Sequence, residues 1–248
     1  MHFEDKNVEN NQMILQEDQL YENYKAWKNQ TCFFQYTHEE ALYYSKEFKG
    51  ILFKGKNVVE VGFGNGSFLS WARDRGAHVS GVEIIEDYLS EAQAAGYEAC
   101  KPDELQALNW KADIIVAFDV FEHLTEEQLK LYLFAISKMM RKGGLALLRF
   151  PNGLSPFGRF HQHADFTHIS TLTPQKLGQF LLHFNIPLRI GKIRRPAKVV
   201  DTGRNLIYIM GRSLQLQLRS ALFLFMGKII GIPIYAFDLN IIVIMNKG

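Results

Sequence analysis

VVEVGFGNGSF, residues 58 to 68, is a β-branched run that breaks into three alternate glycines and then turns helical. A strand ends at Glu60-Val61, the backbone turns at Gly62, Gly64 and Gly66, and a helix begins at about Ser67. Bare backbone and a positive helix N-terminus so placed form a cradle for a nucleotide-like ligand. Glu83 follows 21 positions after Gly62, at the C-terminal tip of the next strand, where a carboxylate can accept two bonds from ribose hydroxyls. A dinucleotide loop reads G-x-G-x-x-G and needs its third glycine for close helix packing, and Ser67 stands there instead. A nicotinamide oxidoreductase is disfavoured on that ground.

Outward from the loop, strand and helix signals alternate. AHVSGVEI (77–84) and YEAC (97–100) read as strands, with EDYLSEAQAAG between them as a helix. ADIIVAFD (112–119) is a fully buried strand. TEEQLKLYLFAISKMMRKGG is a helix with Thr125 and Gln128 as a capping box and a stop at Gly143-Gly144, and GLALLRFP is the fifth strand. Thr173-Pro174 opens another helix that ends near Phe184, and PLRIGKI and NIIVIMNK close the chain as strands. The pattern predicts an α/β fold: a doubly wound, mostly parallel, seven-stranded Rossmann-like sheet, with the 240–246 run a candidate for antiparallel entry. Residues 1–50, rich in aromatics, form a helical N-terminal cover. Residues 51–248 form the main domain, with an insertion at about 196–238 before the last strand.

The chain has 248 residues, 47% of them hydrophobic, enough for one buried core. A net charge of +2 and a pI near 8.4 imply no polyanion partner, which sets nucleic acid aside. Cys32 and Cys100 stand far apart with no neighbouring ligands, so a disulfide framework or zinc knuckle is not expected and a reducing cytoplasm fits best. MHFEDKNVENNQ lacks the apolar core of a secretory signal. The apolar run SALFLFMGKIIGIPIYAF touches the lower length of a membrane span but is interrupted by Lys228 and Pro233. Arg212, Arg219 and Lys228 beside Leu218, Leu222, Phe225 and Ile229 leave two readings of 212–232: a helix packed on the domain, or a peripheral helix on the inner face of a membrane.

The E60-V-G-F-G-N-G66 arrangement, an acid two residues before G-x-G-x-G, resembles motif I of the class I S-adenosylmethionine-dependent methyltransferases. Glu83 sits at that family's ribose position, FDVFEHL (118–124) resembles its segment after strand four, and KGGLALLRFPN (142–152) its strand-five motif. The resemblance covers about residues 55 to 190. It implies S-adenosylmethionine as cofactor, with Glu60, Gly62, Phe63, Gly64, Gly66, Glu83, Ile84, Asp103, Phe118, Asp119 and His123 as cofactor-binding residues. Bottom-up reading leaves alternatives beside four of them: a capped strand-end carboxylate for Glu60, a turn residue for Asp103, helix capping for Asp119 and His123. A sulfonium and an ammonium with no phosphate suit a loop flanked by acids.

More than twenty residues join Phe150 to Thr173 without periodicity, the mark of a functional loop. This segment resembles a methyltransferase sub-group associated with bacterial surface-polysaccharide biosynthesis, through Pro151, Asn152, Ser155, Pro156, Arg159, Asp165, Thr167, His168, Thr173 and Leu177. The resemblance implies O-methylation of a sugar in a cell-surface glycan or its lipid-linked precursor, with Asn152, Arg159 and His163 on the acceptor. Within HQHADFTH (161–168), His168 is the candidate base and Asp165 its partner; a loop bonding its own backbone is the plain alternative. His161, His163 and Asp165 would share a face if extended, imitating a two-histidine, one-carboxylate metal site, but no second ligand cluster supports it and no metal is expected. FDVF replaces the N/D-P-P-Y/F motif of base amino-methyltransferases. A quinone or phenol methyltransferase and a catalytically silent binding protein are the rival readings.

Overall fold

Seven strands form one sheet in the order β3-β2-β1-β4-β5-β7-β6 in the computed structural model, which describes residues 32–106, 109–200 and 206–247. β1 (Asn57–Val61), β2 (His78–Val82), β3 (Glu98–Cys100), β4 (Ala112–Phe118) and β5 (Met140–Pro151) are mutually parallel. β7 (Asn240–Lys247) enters antiparallel between β5 and β6 (Leu188–Arg194), as the missing βα unit before it suggested. The order reverses between β1 and β4, which opens a crevice at their carboxyl ends. Burial on both faces makes the central strands nearly continuous in hydrophobic residues: Val58, Val59, Ile114, Ile115, Val116, Leu147 and Leu148 are all buried.

Helices cover both faces. Before β1 stands α1 (His38–Glu47), whose N-cap Thr37 and Glu40 close a capping box. Tyr44 and Phe48 from this region pack with Phe53, Phe68 and Trp71 in one cluster. Tyr21, Tyr24 and Trp27 lie outside the described residues. α2 (Ser67–Arg73) follows β1, α3 (Glu86–Ala94) follows β2, and α4 (Glu126–Met139) follows β4. The Thr125–Gln128 capping box is present, but α4 stops at Met139 rather than at Gly143-Gly144. Met140 is buried and pairs with Ala112, so burial and sheet pairing end the helix before the glycines do.

Between β5 and β6 lie α5 (Gly158–Ala164) and α6 (Pro174–His183), the latter capped by Thr173. α5 corrects the reading of that connection as irregular. Between β6 and β7 runs α7 (Leu206–Ile230). Its inward side carries Phe223, which stacks on Phe157 and Phe237, and Arg219, 3.6 Å from Asp238. Its outward side is an apolar stripe in which Ile207, Met210, Leu214, Leu218, Phe225 and Ile229 are each more than half exposed. Among the described residues no helix is long and apolar enough to cross a membrane.

Candidate active site

The loop after β1 is shaped by what its glycines allow. Gly62 has φ +68°, and a Cβ there would lie 2.4 Å from Val120 Cγ2. Gly66 is the left-handed N-cap of α2, with the Phe34 ring 2.3 Å from where its Cβ would be. The loop's open backbone is then pinned by Glu83, whose Oε2 accepts from Gly64 N at 2.9 Å while Oε1 accepts from Ile84 N at 2.8 Å and Ile85 N at 3.2 Å. Burial pushes the Glu83 carboxyl upward against the lowering pull of these three amides.

Two adjoining cavities meet at Gly62, Gly64 and Phe118. One, of about 240 Å³, is lined by Glu83, Ile84, Asp119, Val120 and His123. The other, of about 610 Å³, opens beside Glu60, Phe63, Tyr43 and Arg149. Glu60 is buried, and its Oε2 has no hydrogen-bond partner among the described residues. Burial first, and then the nearby Glu83 charge, raise its carboxyl well above the ordinary value. An acceptor left orphaned at that depth suits a cationic group arriving in the cavity.

Asp119 adopts φ +56° at the end of β4, a region that aspartate tolerates better than most residues. Arg149 Nε donates to its Oδ1 at 3.0 Å and a second guanidinium nitrogen to Oδ2. The same guanidinium donates to Tyr43 Oη at 2.9 Å and lies 4.6 Å over the Phe118 ring. Arg149 thus ties β5, β4 and α1 together at the crevice.

Behind the smaller cavity sits a polar cluster. Asp165 Oδ1 accepts from the Thr167 hydroxyl, and Thr167 Oγ1 lies 2.9 Å from His123 Nδ1. With the hydroxyl proton spent on Asp165, His123 donates from Nδ1, and Nε2 becomes its basic nitrogen. Burial, then the neighbouring His168, hold the His123 imidazole below its ordinary value. The Asp165 carboxyl is held low even though burial works against it, because Thr167 and the two histidines favour its charge. His168 packs edge-on against His123 at 4.6 Å and lies 3.9 Å from both Glu122 and Asp165. Glu122 is buried, raised well above the ordinary value by burial and then by Asp119. One ligand atom each from Glu122, His123 and His168 falls within 4.8 Å of the others, spacing that would admit a divalent cation.

The remaining expectations fare unequally. Asn152 is fully buried and donates to the Tyr235 and Asp238 carbonyls, so it braces the turn after β5 and does not reach an acceptor. Asp103 is exposed, caps Glu104 N at 3.1 Å and lies off the crevice wall. His163 is exposed on α5, and the Arg159 and His161 side chains lie outside the described residues. Residues 158–164 are helical rather than extended, so the period-two face that the extended reading of this stretch required is not formed. Sequence reasoning passed over Arg149, Glu122 and Tyr43. The one available signal was an arginine inside the apolar LALLRFP at the ligand-side end of its strand.

Residues 16–187 match the family model of a methyltransferase domain. The chain belongs to that methyltransferase family. No curated protein sequence matches it. Among solved structures it is similar to a SAM dependent methyltransferase from Archaeoglobus fulgidus, at 19% identity and a TM-score of 0.60, over 92% of this chain and 99% of that one. It is also similar to a S-adenosylmethionine dependent methyltransferase from Mesorhizobium loti, at 15% identity and 0.56, over 84% and 98%. A third is the mitomycin 7-O-methyltransferase MmcR, at 13% identity and 0.54, over 85% of this chain and 52% of that one. These likenesses show the methyltransferase fold. S-adenosylmethionine is the cofactor that family and fold imply, and the residues fit it: an orphaned buried carboxylate at Glu60, bare backbone at Gly62 and Gly64, and Glu83 and Ile84 along the adjoining wall.

Proposed function

We propose that the protein is an S-adenosylmethionine-dependent O-methyltransferase that acts on a sugar hydroxyl of a cell-surface glycan or its lipid-linked precursor. The observation that carries the reading is the Asp165–Thr167–His123 chain on the wall of the donor crevice. The bound donor supplies a methyl group on a sulfonium, and a hydroxyl acceptor needs a base as it attacks. His123, held neutral by burial, takes that proton at Nε2. Thr167 fixes its tautomer, and Asp165 stabilises the imidazolium that forms. The sequence placed the base at His168. We assign the role to His123 because it and Thr167 line the crevice, whereas His168 packs edge-on against the His123 ring and is not part of that lining.

The glycan half of the reading rests on the D-x-T-H resemblance, whose Asp165 and Thr167 are the residues that orient His123. The outward stripe of α7 supports peripheral membrane contact, as a lipid-linked acceptor would require. Arg212 turns to the cavity and Arg219 to the cavity and Asp238, so apolar burial rather than surface charge would carry that contact. A phenol or quinone acceptor is the second reading, favoured by Tyr43, Tyr44 and Phe118 around the larger cavity. Transfer of labelled methyl groups to a panel of glycans, lipid-linked sugars and phenols tests it; labelling of phenols alone would replace the glycan reading with the second.

A further inference from the structure

The larger cavity is polarised. Its lining on β1 and α1 carries Glu39, Glu40 and Glu60, next to Arg149 of β5, and its lining after β6 and on the inward side of α7 carries Lys198, Arg212 and Arg219. Glu40 is engaged in the α1 cap, and Glu60 is the orphaned acid beside the glycine loop. The acidic end therefore suits the donor's cationic groups. The basic end is not balanced in the same way. Asp238 is the carboxylate that its ion pairs share among the described residues, and Arg195 already grips it with two nitrogens. Lys198 Nζ stands 3.5 Å away from Asp238 and Arg219 3.6 Å, as outer members of the group. Lys198 Nζ and Arg219 Nε are buried atoms with no hydrogen-bond partner among the described residues. Arg212 donates to Gln215 and opens onto the same space. Arg212 and Arg219 are two helical turns apart, roughly 10 Å along the axis, with Leu216 between them on the same wall.

Two buried donor atoms, Lys198 Nζ and Arg219 Nε, that one shared carboxylate cannot saturate, with the exposed Arg212 guanidinium lining the same cavity, are the chemistry of an anion site. The span suits an elongated, multiply charged group better than a single carboxylate, and guanidinium forks match phosphate oxygens. We propose that Lys198, Arg212 and Arg219 form an acceptor subsite that holds a phosphate or diphosphate group of the molecule to be methylated. The inference rests on the methyl-transfer reading and narrows its acceptor to phosphate-bearing compounds, whether soluble or carried on a lipid.

The test is calorimetric titration of the full chain with inorganic pyrophosphate in the presence of S-adenosylhomocysteine. Saturable binding is expected, weakened about tenfold or more by Arg212→Ala, the loss of one charge-assisted contact, and unchanged by Lys228→Ala, an exposed cation of the same helix. A second arm uses flotation with phosphatidylcholine vesicles with and without phosphatidic acid. Arg212-sensitive binding of free pyrophosphate assigns a soluble phosphate source, and Arg212-sensitive capture on phosphatidic acid alone assigns a lipid source. Binding that is absent from both arms, or equally sensitive to Lys228→Ala, overturns the subsite. So does an Arg212→Ala variant that loses S-adenosylhomocysteine affinity by the same factor, since the wall would then serve the donor's carboxylate. Methyl transfer is read separately, so a chain that binds pyrophosphate yet labels no acceptor refutes the reaction and leaves the subsite standing.

Discussion

Glu83→Gln separates a carboxylate that merely lines the donor crevice from one that builds it. The wild-type side chain satisfies three backbone amides, of Gly64, Ile84 and Ile85. An isosteric amide has one acceptor oxygen, so it can keep the Ile84 and Ile85 pair or the Gly64 bond, but not both. The helix-side pair holds two donors and should win, which turns an NH₂ toward Gly64 N. An orphaned amide costs about 1–3 kcal/mol, and the two retained bonds lose their charge assistance, about 0.5–1 kcal/mol each. Against this, the variant no longer desolvates a charge; the raised Glu83 carboxyl shows that the wild type does. The net loss should be about 1–3 kcal/mol, concentrated in the loop. A melting curve should show a lowered midpoint. Calorimetry should show S-adenosylhomocysteine affinity reduced by about tenfold or more, because Gly64 is misplaced before the ligand arrives. Unchanged affinity together with an unchanged midpoint would refute the claim that this carboxylate organises the cradle.

Four further outcomes are expected. His123→Ala should lower kcat by about 10²–10⁴ with donor affinity nearly intact, and more than His168→Ala does; the reverse ranking would return the base to His168. In the wild type, the acidic limb of kcat should lie below pH 6.5, since burial lowers the His123 imidazole, and a chelator should leave turnover unchanged; loss that a divalent cation restores would assign the Glu122–His123–His168 cluster to a metal. Glu122 is raised in the folded state, so its contribution to stability is fully present below about pH 4.5 and lost as pH rises through the folded value; Glu122→Gln should gain stability over wild type with rising pH, and parallel melting profiles would exclude this. Flotation should show α7-dependent binding to neutral as well as anionic vesicles, weakened by Leu218→Ser with Phe225→Ser; binding restricted to anionic lipid would assign the contact to charge rather than to the apolar stripe.

Much of the fold was legible because its determinants are local. Period-two and continuous apolar runs mark strands, Thr125 with Gln128 and Thr173 with Pro174 mark helix starts, and three glycines mark a turn that only they can make. The placement of Glu60, Gly62, Gly64 and Glu83 around the crevice was legible for the same reason: one strand–turn–helix unit and its neighbour carry all four. Where locality failed, burial decided. Met140 left its helix because a buried position opposite Ala112 was open to it, and Asn152, which looked like a reaching side chain, was absorbed beneath the turn after β5. The far half of the site was decided by tertiary structure alone. His123 and Thr167 stand 44 residues apart, Arg149 and Tyr43 are 106 apart, and Asp238 gathers Arg195 and Lys198 from the segment after β6 and Arg219 from α7. Whether an ionisable side chain is a solvated surface charge, a base or an anion ligand depends on the dielectric and the partners around it. Those come from chain segments brought together by sheet order, which no local pattern encodes.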